Sequence, residues 1–172
     1  QFFGAVTGLN AQPLPAIAEL LQVAWEWATL IVMRLKHCVA ELRPFQRSAQ
    51  VIPVIDTPGH GSLPSGHATM AALTAELLAR VLYPNVADPH EANRRDMLHR
   101  LAARIAFNRV VAGVRFQMDS AALQALGLQL ARLFAGMAGD QARVESKRCV
   151  IRSDSGWDEA DPTHDSMSIA AA

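Results

Sequence analysis

The sequence predicts an all-α protein, a helical bundle whose four main helices surround a loop rich in glycine and proline. Three observations carry that expectation. Apolar residues recur at helical spacing in four separate stretches, and prolines or glycines punctuate the gaps between them. The run with β-like composition, Val51-Ile52-Pro53-Val54-Ile55, holds a proline that rules out a central strand.

Residues Gln1 to Pro15 mix glycine, proline and polar residues and read as an irregular lead-in, with Pro15 placed where a first helical turn accepts it. From Ala16, the residues Ile17, Leu20, Leu21, Ala24, Ala28, Ile31, Val32 and Leu35 share one helical face. Trp25 and Trp27 widen that face as core or interface residues. This first helix is expected to reach Leu42, because Pro44 disfavours helical geometry at Arg43. Phe45 to Asp56 reads as extended loop. A second helix starts near Ser65, a good N-cap, and carries Met70, Leu73, Leu77, Leu78 and Leu82 before Pro84. Asn85 to Glu91 is a polar loop in which His90 is a surface histidine.

A third helix is expected from Ala92 through Val114, with Met97, Leu101, Ile105 and Val111 inward and Arg94, Arg95, Arg100 and Arg104 solvated. The fourth runs from Asp119 to Met137 through Leu123, Leu126, Leu130, Leu133 and Phe134, and Gly136 and Gly139 stop it. Beyond Asp140 the composition turns polar and acidic. The chain therefore divides into a helical domain over 1–140 and a polar tail over 141–172 that is flexible or packs only locally.

With 172 residues and zero formal net charge, the chain can bury one core and lacks the basic surplus that nucleic-acid binding needs. Cys38 and Cys149 are far apart and suggest neither a metal knuckle nor a disulfide framework. The most apolar run, Ala16 to Leu35, is interrupted by Glu19, Gln22, Glu26 and Arg34. Charges at that density predict a core helix of a soluble bundle with no membrane span, monodisperse without detergent. The compartment, cytoplasmic or exported, stays open. A chain that begins at Gln1 reads as a processed product or as part of a longer protein.

Thr57 to Thr69, Thr-Pro-Gly-His-Gly-Ser-Leu-Pro-Ser-Gly-His-Ala-Thr, has the makings of an anion cradle. The backbone amides of Gly66, His67 and Ala68 follow Ser65 at the positive end of a helix dipole, where oxyanions bind. His67 would stand beside such an anion and His60 upstream of it, and imidazole is the side chain best suited to move protons near neutral pH. An ordinary helix start with a capping histidine would have the same composition. Lys36 and Arg43, two turns apart at the end of the first helix, could clamp an anion or simply meet the helix dipole and solvent.

Three islands stand in order: Lys36 to Arg43-Pro44, then Pro64-Ser65-Gly66-His67, then Asn108-Arg109, Arg115 and Asp119. Their spacing resembles the three-part signature of the superfamily of type 2 phosphatidic acid phosphatases (PAP2) and vanadium-dependent haloperoxidases, over roughly Lys36 to Asp119. The resemblance implies a helical bundle with an anion pocket between the loop before the second helix and the ends of the first and third. It also implies that Lys36, Arg43 and Arg109 surround phosphate or a vanadate cofactor, that Ser65 and Gly66 donate hydrogen bonds to it, and that His67 is an acid or base. His60 falls where the haloperoxidase branch carries a residue linked to halide use.

Two positions depart from the signature. Asn108 stands for serine, a mild change. Arg115 stands for the histidine that resembles the phosphatases' nucleophile and the haloperoxidases' axial vanadate ligand. A guanidinium has no free lone pair, so Arg115 can only donate hydrogen bonds to an anion. Asp119, four residues later, would meet Arg115 as an ion pair on a helical face, with Gly113 breaking the preceding helix. Three readings follow: a haloperoxidase-like enzyme using vanadate, halide and peroxide; a PAP2-type phosphatase; or a non-catalytic oxyanion binder. The haloperoxidases are longer, so a second copy in a homo-oligomer or a missing N-terminal half would supply the rest.

Overall fold

The computed structural model of the chain describes residues 2–9, 14–138, 148–149 and 169–170. Helices α1 (Phe2–Thr7), α2 (Pro15–Val39), α3 (Pro44–Arg47), α4 (Gly66–Leu82), α5 (Pro89–Val111) and α6 (Gln117–Ala138) are followed by two short strands. These are β1 (Arg148–Cys149) and β2 (Ile169–Ala170), paired antiparallel with Arg148 opposite Ala170. The four long helices are the four expected from periodicity. Gly139, expected to help stop the fourth helix, and most of the polar tail lie outside the described residues.

Helix α4 is the centre of the bundle because its sequence is apolar or small almost all round. Ala68 to Ala79 is buried nearly without interruption. One side of it, with Leu73 and Leu77, packs against Ala24 and Ala28 of α2 and Leu130 and Ala131 of α6. Another, with Ala75, Leu78 and Ala79, packs against Leu98 and Ala102 of α5. Where α4 and α6 come closest, a Cβ built on Gly127 would lie 2.4 Å from the Thr69 carbonyl oxygen and 2.8 Å from Ala72 Cβ. Backbone cannot yield as a flexible side chain can. Gly127→Ala should therefore destabilise the protein by about 3 kcal/mol, at the upper end of overpacking costs, visible as a lowered melting temperature.

Several boundaries differ from expectation for local reasons. The lead-in is partly helical, as α1. Helix α2 stops at Val39, not Leu42, because Ala40 adopts φ 49° and donates its N–H back to the Lys36 carbonyl. Pro44 does not end that helix; it opens α3, inside a stretch expected to be extended. Helix α5 begins at Pro89 behind the N-cap Asp88, so His90 lies in its first turn, and it ends at Val111. Gly113, at φ +71°, makes the expected break. The buried face of α5 is Leu98, Ala102, Ala103 and Ala106, not the face of Met97 and Val111, because alanines permit the closest approach to α4.

The largest correction concerns α2. Only Ala24, Ala28, Val32 and Lys36, a narrow stripe spaced four apart, are buried along it. Val23, Trp27, Leu30 and Val39 are exposed. The stretch Pro15–Arg47 is long and apolar enough to cross a membrane, and little of its most apolar part is buried. A core helix of a water-soluble bundle would hide that face, and α2 does not.

Candidate oxyanion site

The site is built where the end of α2 meets the loop before α4. Lys36, in the last turn of α2, is 3% exposed, and its Nζ donates to the carbonyls of Gly61 (3.0 Å), Ser62 (3.2 Å) and Pro64. Arg43, 1% exposed, donates from Nε to the His60 carbonyl (3.1 Å) and from Nη1 to the Val114 carbonyl (3.2 Å), and its Nη2 lies 3.3 Å from His60 Nδ1. Ser62 adds two more ties: its N–H donates to the Glu41 carbonyl (2.7 Å) and its Oγ to Asp119 Oδ2. Gly61 allows this close approach, since a Cβ there would stand 3.0 Å from the Glu41 carbonyl oxygen and push the two segments apart. The loop is thus bolted to α2, to the α5–α6 turn and to α6. Lys36 and Arg43 spend their donors on backbone carbonyls and the His60 ring.

Ser65 caps α4 as the sequence predicts, accepting from the Ala68 N–H at 3.4 Å, while its carbonyl accepts from Thr69. Of the three amides in the expected cradle, Ala68's is therefore taken by the cap. Asp119 does not pair with Arg115. Helix α6 starts at Gln117, so the two residues share no helical face, and Asp119 Oδ2 accepts from Ser62 Oγ and from the Phe116 N–H (3.1 Å) instead.

A cavity of about 710 Å³ opens beside this loop. Its polarity follows from how α2 and α4 run past each other. At one end Lys36 reaches the chain just before Gly66; at the other, Trp25 Nε1 donates to Thr74 Oγ1 at 2.8 Å. Lys36, His60, Gly66, His67, Arg109 and Arg115 accordingly gather at the first end, and the rest of the lining is mostly apolar, with Phe3, Trp25, Val32, Met70 and Ile105 beside the polar Thr29, Asp56 and Thr74. Arg43, Ser65 and Asp119 sit behind the wall. The sequence placed no role on Ser62, and nothing in a Gly/Pro-rich loop distinguishes one serine from another. Trp25 was expected in core or interface, and it walls the cavity.

Charge at the polar end is unbalanced. Arg109 Nε and Arg115 Nε and Nη1 are buried without a hydrogen-bond partner. Burial, then the neighbouring guanidiniums of Arg43 and Arg109, lower the Arg115 pKa to about 10, against the opposing pull of Asp119. His60 is held below its ordinary value by burial and by Lys36, Arg43 and Arg115, with its contact to the Gly61 carbonyl opposing. His67 is held below 6.5 by the protein mass around the cavity and then by Arg109, Arg115 and Lys36, although its ring keeps access to solvent. A bound oxyanion would offset those cations and raise the His67 pKa. His67 should therefore take up a proton when phosphate binds, and phosphate should bind more tightly as pH falls through the His67 titration. NMR titration of the His67 ring with and without phosphate reads this directly, and an unmoved pKa would place the anion elsewhere.

Such orphaned donors suit a multiply charged oxyanion, phosphate or vanadate alike. They do not suit vanadium coordination at position 115, where arginine offers no lone pair. No family model matches the chain, and no curated protein matches it in sequence. A solved structure does match in three dimensions: the transmembrane PAP2-type phosphatidylglycerolphosphate phosphatase from Bacillus subtilis, at TM-score 0.61 and 23% identity, over 79% of this chain and 74% of that one. The chain shares the helical fold of that PAP2-type phosphatase. The PAP2 protein it resembles is transmembrane, and with the exposed apolar side of α2 this overturns the expectation of a soluble chain without a membrane span. Halide and peroxide fall away as expected partners, because the similar PAP2 structure is a phosphatase and gives halide oxidation no support.

Proposed function

We propose that this chain is a membrane-associated PAP2-fold protein that holds the phosphate of a lipid phosphomonoester. The observation that carries the reading is the two-ended cavity: three buried, unpartnered guanidinium donors of Arg109 and Arg115 at one end, mostly aromatic and aliphatic walls along the rest. A phosphate would complete the donors, and an acyl or glyceryl chain would cover the apolar walls. The similar structure acts, by its title, on a phosphatidylglycerolphosphate. Helix α2, at about 1.5 Å per residue, is long enough to span the roughly 30 Å hydrocarbon layer.

Within that site Arg109 and Arg115 neutralise the phosphate, and His67 stands where it can hand a proton to a leaving alcohol. Position 115 supplies no nucleophile, so hydrolysis by this chain is negligible while binding is retained. The test is a thermal melt in detergent micelles with phosphatidic acid, diacylglycerol or inorganic phosphate. Phosphatidic acid should raise the melting temperature most, inorganic phosphate less and diacylglycerol least. Equal shifts with phosphatidic acid and diacylglycerol would remove the phosphate from the reading.

A further inference from the structure

We propose that the loop at 51–55, together with the α5–α6 turn, forms a lipid-inserting rim beside the cavity, whose partner is the acyl region of the bilayer where α2 ends. Residues 48–55 carry no charge, and Ile52 and Val54 are 83% and 79% exposed. Surface loops are ordinarily polar, so two nearly bare aliphatic side chains need a partner. The loop is not left loose: the Val54 N–H donates to the Ala112 carbonyl at 3.1 Å. Gly113 lets it lie close, with the Ile52 carbonyl oxygen and Val51 Cγ1 each 3.4 Å from where a Cβ would stand. The same turn adds Val111, 66% exposed, and Met118, 57% exposed, at the start of α6.

Two further observations select lipid as the occupant. Part of the loop's backbone is already satisfied within the protein: Val51 donates to the Ser48 carbonyl, Val54 to that of Ala112, and Pro53 has no N–H to satisfy. The rim also follows closely on the exposed apolar side of α2: that helix ends at Val39, exposed Leu42 comes next, and the chain reaches this loop through α3, with the Glu41–Arg47 ion pair between. Ile55 and Asp56, the next residues, line the cavity itself. A lipid phosphate would then reach the cationic end from the leaflet without first crossing water.

This inference rests on the membrane reading of α2, and the experiment separates the two. In full-length protein with Cys38→Ser and Cys149→Ser, single cysteines at Ile52, Val54 or Leu30 are labelled with an environment-sensitive fluorophore and reconstituted into phosphatidylcholine–phosphatidylglycerol vesicles. All three positions are exposed, so the labels leave the packing intact. The expected result at Ile52 and Val54 is a blue-shifted emission, quenched by spin-labelled lipid and protected from aqueous iodide, as at Leu30 on the α2 face. Solvent-like, iodide-quenched emission at Ile52 and Val54 with lipid quenching at Leu30 overturns the rim alone. Iodide quenching at all three overturns the membrane reading with it. Protection from iodide without lipid quenching at Ile52 and Val54 would mean a protein partner and would also overturn the rim.

Discussion

Replacing Arg115 with histidine should raise the protein's phosphomonoesterase activity on the order of 100-fold over the parent, the scale a positioned catalytic imidazole supplies. In the variant a ring nitrogen lone pair could attack phosphorus while the leaving oxygen takes its proton from His67, and water would then release the phosphate from nitrogen. The gain depends on Asp119, which must hold the new ring in the right tautomer. That carboxylate is at present engaged by Ser62 Oγ and the Phe116 N–H, so the recovery should be partial. Release of phosphate from a soluble aryl phosphate and from phosphatidic acid, in detergent, measures it. Robust hydrolysis by the unaltered chain, abolished by His67→Ala, would show that another residue serves as nucleophile.

The second large effect has opposite signs in two measurements. Arg115 is 4% exposed, has two buried donors without partners and stands among Lys36, Arg43 and Arg109. Arg115→Met keeps much of the volume and removes a buried, repelled charge, so the anion-free protein should become more stable by about 1–3 kcal/mol. The same change removes charge-assisted hydrogen bonds to the ligand. Phosphate affinity should fall about 10- to 100-fold, the equivalent of roughly 1.5–3 kcal/mol. A melt and a binding titration on one preparation give both numbers. A variant that is less stable and binds phosphate unchanged would make Arg115 a structural residue.

The helices were legible because their apolar period is strong, and Ser65 was legible because its hydroxyl caps a helix whose first turn is spelled out beside it. The ordered islands at Lys36, Ser65-Gly66-His67 and Arg109 likewise pointed to one place, and the structure brings Lys36, Gly66, His67 and Arg109 to one end of one cavity. What periodicity could not show was direction. The apolar face of α2 has the same pattern whether it meets protein or lipid, and only the narrow stripe from Ala24 to Lys36 reveals how little of it the bundle covers. Counting Glu19 and Glu26 against a membrane span gave the wrong answer for that reason. The employment of Lys36 and Arg43 was hidden too, because a motif names a cation without naming which oxygens it reaches. Asp119 illustrates the same limit: four-residue spacing suggested a helical pair with Arg115, but the helix begins two residues too late.

The way the loop at 57–64 is tied down also bears on the order in which the protein takes shape. Helices α4, α5 and α6 are neighbours along the chain, joined by residues 83–88 and 112–116, so their pairings close short segments and can form early. The ties from Lys36 to Pro64, from Arg43 to Val114 and from Ser62 to Asp119 span 28, 71 and 57 residues of chain. The first two can exist only after α2 has docked on the three helices already paired, and the third only after α6 has closed beside the loop. The oxyanion site is consequently a late product of folding, and a chain can hold most of its helix while having no site at all.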